Sequence, residues 1–230
     1  MNEFDYIDRN LSEIREMAKA AQCRSPYSQE YEILLATKYA SAEEINYAHS
    51  KGINKIGENR VQSLLEKYDK LDRDGLDIHF IGTLQRNKVK YIIDKVSMIE
   101  SLDSIELAKE IEKQAAKHGI VMDCLVEVNI GNEEAKSGIA KEDVLNFCDE
   151  LREFPHIRLC GLMTMAPKCE NFDGYRKYFS ESYNIFIDIC EKKLHNVDRR
   201  ILSMGMSDSF TVALEEGANL IRVGRAAFKK

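Results

Sequence analysis

The first residue whose type and place suggest chemistry is a lysine that closes an apolar run, Ile33-Leu34-Leu35-Ala36-Thr37-Lys38. At a strand end its ammonium would lie against a hydrophobic interior. Desolvation lowers an amine's pKa, so that it can condense with an aldehyde. The other reading is a long stem that snorkels to water, and spacing does not choose between them. Two later segments fit an anion. Ser203-Met204-Gly205-Met206-Ser207 offers hydroxyls, a glycine and backbone N–H groups just ahead of a helix start, where the dipole favours negative charge. In Arg222-Val223-Gly224-Arg225 the glycine lets backbone approach a ligand closely, and the next N–H can join the same cradle. Either segment alone also reads as an ordinary turn.

Other chemistries lack their residues. The histidines at 49, 79, 118, 156 and 195 never fall at metal-ligand spacing, so no metal site is expected. His79 reads as packed or hydrogen-bonded near the site. There is no GxSxG elbow and no Walker loop. The cysteines at 23, 124, 148, 160, 169 and 190 show no CxxC pair, which points to free thiols in a reducing compartment.

These residues must be carried by elements that alternate. Short runs rich in Ile, Leu and Val recur at 33–36, 54–57, 78–81, 97–100, 124–130, 159–163, 200–203 and 220–223. Between them lie segments of helical periodicity, at about 41–52, 58–69, 84–92, 103–118, 141–153, 172–194 and 208–216. An amphipathic opening helix over roughly 4–22 precedes them. Ser41-Ala42-Glu43-Glu44 has a serine cap with acids in the first turn.

Eight strands with helices between them is the count of a closed parallel barrel. The fold class is therefore α/β, a single (β/α)8 TIM-type barrel forming one domain over residues 1–230. Little chain follows the eighth run, so the opening helix is expected to cover the gap an eighth external helix would fill. An open doubly wound sheet is the alternative, but the chain lacks a glycine-rich dinucleotide turn. Barrel sites lie at the C-terminal ends of the strands, and phosphate commonly sits after strands seven and eight. That puts Lys38 at the same mouth as both anion segments. A Schiff-base lysine with a phosphate cradle suggests pyridoxal 5′-phosphate.

Composition narrows the setting. The 230 residues carry a formal net charge of −6, with Lys and Arg scattered, which argues against a nucleic-acid partner. No apolar run approaches the ~20 residues that span a bilayer. The acidic opening Met1-Asn2-Glu3-Phe4-Asp5-Tyr6 is no signal peptide. A cytoplasmic protein with no membrane partner is expected.

At these residues the sequence resembles the pyridoxal phosphate homeostasis family of the YggS/PROSC type, whose members resemble the barrel domain of alanine racemase without its second domain. The resemblance runs nearly end to end. It includes Leu35-Ala36-Thr37-Lys38, Gly57-Glu58-Asn59-Arg60-Val61-Gln62 and His79-Phe80-Ile81-Gly82. It continues through Leu84-Gln85, Asn87-Lys88, Val128-Asn129, Lys136-Ser137-Gly138 and Gly161-Leu162-Met163, and closes on the two anion segments. Each piece is weak alone, and their order and spacing are specific.

The resemblance implies that Lys38 carries the cofactor as an aldimine, that Ser203, Ser207 and the N–H groups around Gly224 and Arg225 hold its phosphate, that Arg222 faces the pyridine nitrogen, and that Asn59 and Met206 line the ring. It implies a carrier of pyridoxal phosphate with PLP-dependent apoenzymes as recipients and no catalytic residues. A guanidinium beside the ring nitrogen disfavours its protonation and weakens the ring as an electron sink. The alternative is an amino-acid racemase. Racemization needs a base on each face, and the two-domain racemases take the second, a tyrosine, from the domain absent here. Tyr39 stays open as a candidate base. Three departures affect loop detail: Tyr39-Ala40-Ser41 replaces Thr-Lys-Pro, Asp208-Ser209 stands where Gly/x-Asp is usual, and the end lacks the usual glycine.

Overall fold

The structure, a computed structural model, describes residues 3–27, 29–133, 136–192 and 200–230. Eight parallel strands close a ring: β1 (Glu32–Ala36), β2 (Lys55–Glu58), β3 (Asp77–Phe80), β4 (Met98–Leu102), β5 (Met122–Asn129), β7 (Ile157–Thr164), β8 (Ile201–Ser203) and β9 (Leu220–Val223). Each pairs with the next, and β9 returns to β1 through Leu34↔Arg222 and Leu35↔Val223. This is the expected (β/α)8 barrel and not an open sheet. One further strand, β6 (Ile139–Ala140), adds two residues beside the end of β5, through Val128↔Ile139. Its shortness kept it below any periodicity signal.

Helices surround the ring: α1 (Asp5–Arg24), α2 (Ala42–Ser50), α3 (Val61–Tyr68), α4 (Val89–Ile92), α5 (Ile105–His118), α6 (Val144–Glu150), α7 (Phe172–Glu191) and α8 (Phe210–Glu215). Local chemistry sets their starts. Ser41 closes a capping box on α2, its hydroxyl accepting from Glu44 N at 3.2 Å while Glu44 accepts from Ser41 N at 2.8 Å. Asn171 caps α7 through Gly174 N at 3.0 Å. Several helices are shorter than periodicity predicts, α6 and α8 among them. Glu58 belongs to β2, so the third helix starts at Val61. Within 84–92, Arg86–Lys88 forms a 3-10 turn and only Val89–Ile92 is α-helical. The predicted last turn of the 172–194 helix, and His195, lie outside the described residues.

Helix α1 takes the place of the missing eighth external helix, as expected. It buries Ile7, Leu11, Ile14, Ala18 and Ala21, one face at helical spacing, and packs on α8 and α2. The Asn10 amide donates to the carbonyls of Ala227 at 3.0 Å and Lys229 at 2.8 Å, tying the helix to the segment after β9.

The core has two parts. The larger lies between strands and helices and contains Ile56, Phe80, Ile99, Val126 and Leu162. The smaller fills the barrel with Leu34, Ile81, Met98, Leu125, Cys160, Met163, Ile201 and Leu220. Fully buried leucines such as Leu34 and Leu125 each contribute roughly 1.5–3 kcal/mol. At the N-terminal end Lys55 bonds Asp77, and Arg158 grips Asp123 through two bonds of 2.6 and 2.8 Å. Charged pairs and packed side chains thus close the lower barrel, leaving the C-terminal mouth for function.

Candidate functional site

Side chains two residues along a strand share a face. Stepping two residues from Met98, Leu125, Ile201 and Leu220, all in the interior cluster, reaches Glu100, Glu127, Ser203 and Arg222. A polar layer therefore sits directly above the apolar one, and it is hydrogen-bonded across the barrel. His79 Nδ1 donates to Glu100 Oε1 at 2.6 Å. Ser203 Oγ donates to Glu100 Oε2 at 2.6 Å and accepts from Arg222 at 2.7 Å. A second guanidinium nitrogen of Arg222 donates to the Thr164 carbonyl at 2.9 Å.

The charges in this layer are balanced unevenly. Burial alone would raise Glu100, but the bond from His79, the facing charge of Arg222 and the Ser203 hydroxyl hold it below the ordinary carboxylate range. Burial pulls Arg222 down from its usual value, with Glu100 and Glu127 opposing. Glu127 has no such compensation. Burial, then nearby Asp103, push it up to about 7 against the pull of Arg222, and its Oε2 has no hydrogen-bond partner.

Above this layer the loops after β8 and β9 meet. Gly205 adopts φ +88°, and an added Cβ would lie 2.5 Å from Ala213 Cβ, so only glycine fits this turn. Its carbonyl accepts from Arg222 N at 3.1 Å. Gly224 passes so close to β1 that a Cβ would stand 2.8 Å from the Ala36 carbonyl oxygen. Ser207 Oγ accepts from Ala226 N at 3.2 Å and so joins the two loops. The amides of Ser207, Asp208 and Arg225 make no backbone hydrogen bond among the described residues. The residues that depart from the family pattern have partners here. Asp208 is paired with the Arg225 guanidinium, which offsets an acid beside an anion cradle, and Ser209 Oγ accepts from Met206 N at 3.2 Å. Met206 stands half-exposed over the opening.

The expectation for Ser203 needs correction. Its hydroxyl is fully buried and already engaged by Glu100 and Arg222, so within this arrangement it braces the arginine and does not face the cradle. The groups left at the cradle are Ser207 and the amides without backbone partners. Lys38 also differs from expectation. It lies two residues beyond Ala36, which packs on the interior cluster, yet its side chain is exposed, with the ammonium 4.9 Å from the Tyr39 ring centroid. Tyr39 is itself 88% exposed. At the end of β2, Asn59 is half-buried and its Oδ1 lacks any partner. Gly82 allows its loop to touch that of Asn59, since a Cβ there would meet the Asn59 carbonyl oxygen at 2.1 Å.

Pyridoxal phosphate presents an aldehyde, a phosphate and a ring with polar edges. The residues at this mouth fit it: an accessible amine, amides without backbone partners beside a glycine cradle, a fixed guanidinium, and an orphaned asparagine oxygen. The structure brings the expected Lys38, Asn59, Met206, Ser207, Arg222, Gly224 and Arg225 to the same end of the barrel, while sequence reasoning passed over Glu100 and Glu127. A usable signal existed, since each is an acid two places after an inward apolar residue in an apolar strand. Among the described residues no cluster of three or more potential ligands could hold a metal, and no helix is long and apolar enough to cross a membrane.

Comparison with known proteins agrees with this fold. Residues 4–230 match the family described as alanine racemase, N-terminal domain. The pyridoxal phosphate homeostasis protein of Aquifex aeolicus is 40% identical over 228 residues, covering 99% of this chain and 98% of that one. A crystal structure of an unknown protein from Bifidobacterium adolescentis superposes with a TM-score of 0.92 at 30% identity, covering 99% and 97% of the two chains. The structure of PipY from Synechococcus elongatus with PLP bound superposes at 0.79 with 27% identity, over 92% of this chain and 99% of that one.

Proposed function

This chain belongs to the pyridoxal phosphate homeostasis family, whose members share the alanine racemase N-terminal barrel, and from that membership we propose that it holds pyridoxal 5′-phosphate on Lys38 as a carrier. The observation that supports this best is convergence: Lys38 after β1, the partnerless amides after β8 and β9, and the fixed guanidinium of Arg222 share one barrel mouth. Ser207 with the amides of Ser207, Asp208 and Arg225 binds the phosphate. Gly224 leaves the space for it, and Asn59 and Met206 border the ring.

Bound there, the cofactor supplies an aldehyde that bonds reversibly to an amine, and a ring that withdraws electrons. The protein's contribution is to bind and orient. Arg222 is pinned by Ser203 and the Thr164 carbonyl, so it would offer a fixed donor to the ring nitrogen. A donor at that position disfavours a proton on the nitrogen, which suits retention better than carbanion chemistry. The exposure of Lys38 suits hand-over, because a competing amine on a recipient apoenzyme can reach the bond. The Tyr39 ring lies beside the Lys38 ammonium, its centroid 4.9 Å away, and so would not by itself supply a base on the face opposite the lysine.

The test is spectroscopic. Purified protein given pyridoxal phosphate develops a visible absorbance band that borohydride fixes covalently, and Lys38→Ala does not. A colourless wild type that takes up none of the compound overturns the proposal. The carrier reading further expects D/L-alanine interconversion no faster than with free cofactor, and turnover well above that level would make the protein a racemase.

A further inference from the structure

The residue before Lys38 is held at every polar atom. Thr37 N donates to the Gly57 carbonyl at 2.9 Å, and its hydroxyl donates to Glu58 Oε1 at 2.7 Å. Its carbonyl accepts from Lys67 Nζ at 2.8 Å and from Ala40 N at 3.0 Å. Lys67 Nζ also donates to Glu58 Oε1 at 2.7 Å, which closes a triangle between the ends of β1 and β2 and helix α3. Thr37 and Glu58 are buried, and the Lys67 side chain is only 16% exposed.

A buried ion pair is a weak source of stability, because desolvation offsets its attraction and apolar replacements often do as well. What an ammonium provides here, and an apolar side chain would not, is direction. The Thr37 carbonyl belongs to the peptide plane that leads into Lys38. Fixing that carbonyl sets the angle at which the Lys38 stem leaves the strand. The stem itself is exposed and, apart from the Tyr39 ring, lightly held. A flexible amine on a rigid base still samples only the arc the base allows, and small misplacements of a reacting group are costly.

The geometry points to Lys67, acting through Glu58 and Thr37, as a positioning residue that aims Lys38 at the aldehyde of the cofactor. The inference rests on the function proposed above. The bond it serves is unchanged: the Lys38 nitrogen replaces the aldehyde oxygen, which leaves as water. Lys67 itself touches neither reactant.

The test compares two ligands on the full-length protein. Pyridoxal 5′-phosphate can bond to the lysine, whereas pyridoxine 5′-phosphate has the same ring and phosphate but an alcohol in place of the aldehyde. The variant is Lys67→Met combined with Glu58→Gln, which removes both charges and strands neither. Pyridoxal phosphate affinity is expected to fall about tenfold, the scale of losing a hydrogen bond to a charged group, while pyridoxine phosphate affinity changes less than about twofold. Lys67→Arg, which keeps a donor and the charge, is expected to restore most of the loss. Thr37→Val keeps the ion pair and the carbonyl bond from Lys67 but removes the hydroxyl's tie to Glu58, so a smaller loss confined to pyridoxal phosphate, about threefold, is expected, which keeps the inference testable if the double variant does not fold. Equal losses for both ligands, or no loss for either, overturn the inference. A wild type that binds neither ligand defeats the cofactor reading itself, a result distinct from any difference between variants.

Discussion

The interior layer of the barrel and the rim just above it handle charge in opposite ways. Inside, His79, Glu100, Ser203 and Arg222 are buried and hydrogen-bonded to one another across four strands. On the rim, Lys38 and Arg225 are exposed, and the amides after β8 and β9 wait without backbone partners. The inner layer is preorganised and costly to disturb. The rim is adjustable and accessible, as a group that captures and releases a ligand must be. Stability and capture should therefore separate by depth, and substitutions at each level should show it.

The largest effect is expected inside. Arg222→Met leaves Glu100 buried without its facing charge and should cost about 3–5 kcal/mol in denaturant unfolding. A variant as stable as wild type would mean that water reaches this layer.

Glu127 comes next, with the opposite sign. Its folded-state pKa, about 7, lies above the ordinary carboxylate value, so the unfolded chain ionises first as pH rises. Folding is penalised progressively from about pH 4.5 upward, and the penalty levels off above pH 7. Glu127→Gln removes that cost. It should stabilise the protein at pH 8 by on the order of 3 kcal/mol and leave it unchanged at pH 4. Unfolding curves at the two pH values check this, and a gain of equal size at both would reject it.

At the junction of the two levels, Gly205→Ala places a Cβ against Ala213 and Phe210 at positive φ. A loss of about 1–3 kcal/mol is expected, together with weaker binding of inorganic phosphate. The smallest stability effect is expected on the rim. Lys38→Ala should shift unfolding by no more than about 0.5 kcal/mol while abolishing covalent capture of the cofactor. A large destabilisation would show that Lys38 is part of the packed structure and end the contrast.

The same division by depth explains what could be read from the sequence. The barrel was legible because eight apolar runs alternate with helical segments, and fully buried parallel strands make such runs. The rim was legible only in combination, since Lys38, Gly205 and Gly224 each have an ordinary reading alone and point to one mouth only once the strand count places them at the ends of strands in a single barrel. The inner layer was not. Glu100 and Glu127 look like ordinary acids until strand parity and closure place them inside, and Ser203 looked like a phosphate ligand because its hydroxyl could not be seen to face Arg222. Lys67 was invisible for a related reason: its partner, the Thr37 carbonyl, is backbone on another element.

The central claim is that one lysine at the mouth captures the cofactor. The protein carries many other amines, several of them exposed, such as Lys229 and Lys230. The most direct measurement is therefore peptide mapping by mass spectrometry after incubation with stoichiometric pyridoxal 5′-phosphate and borohydride reduction. The account predicts that the reduced adduct falls on the peptide containing Lys38 and on no other to a comparable extent. An adduct spread over surface lysines, with Lys38 unmodified, would contradict it.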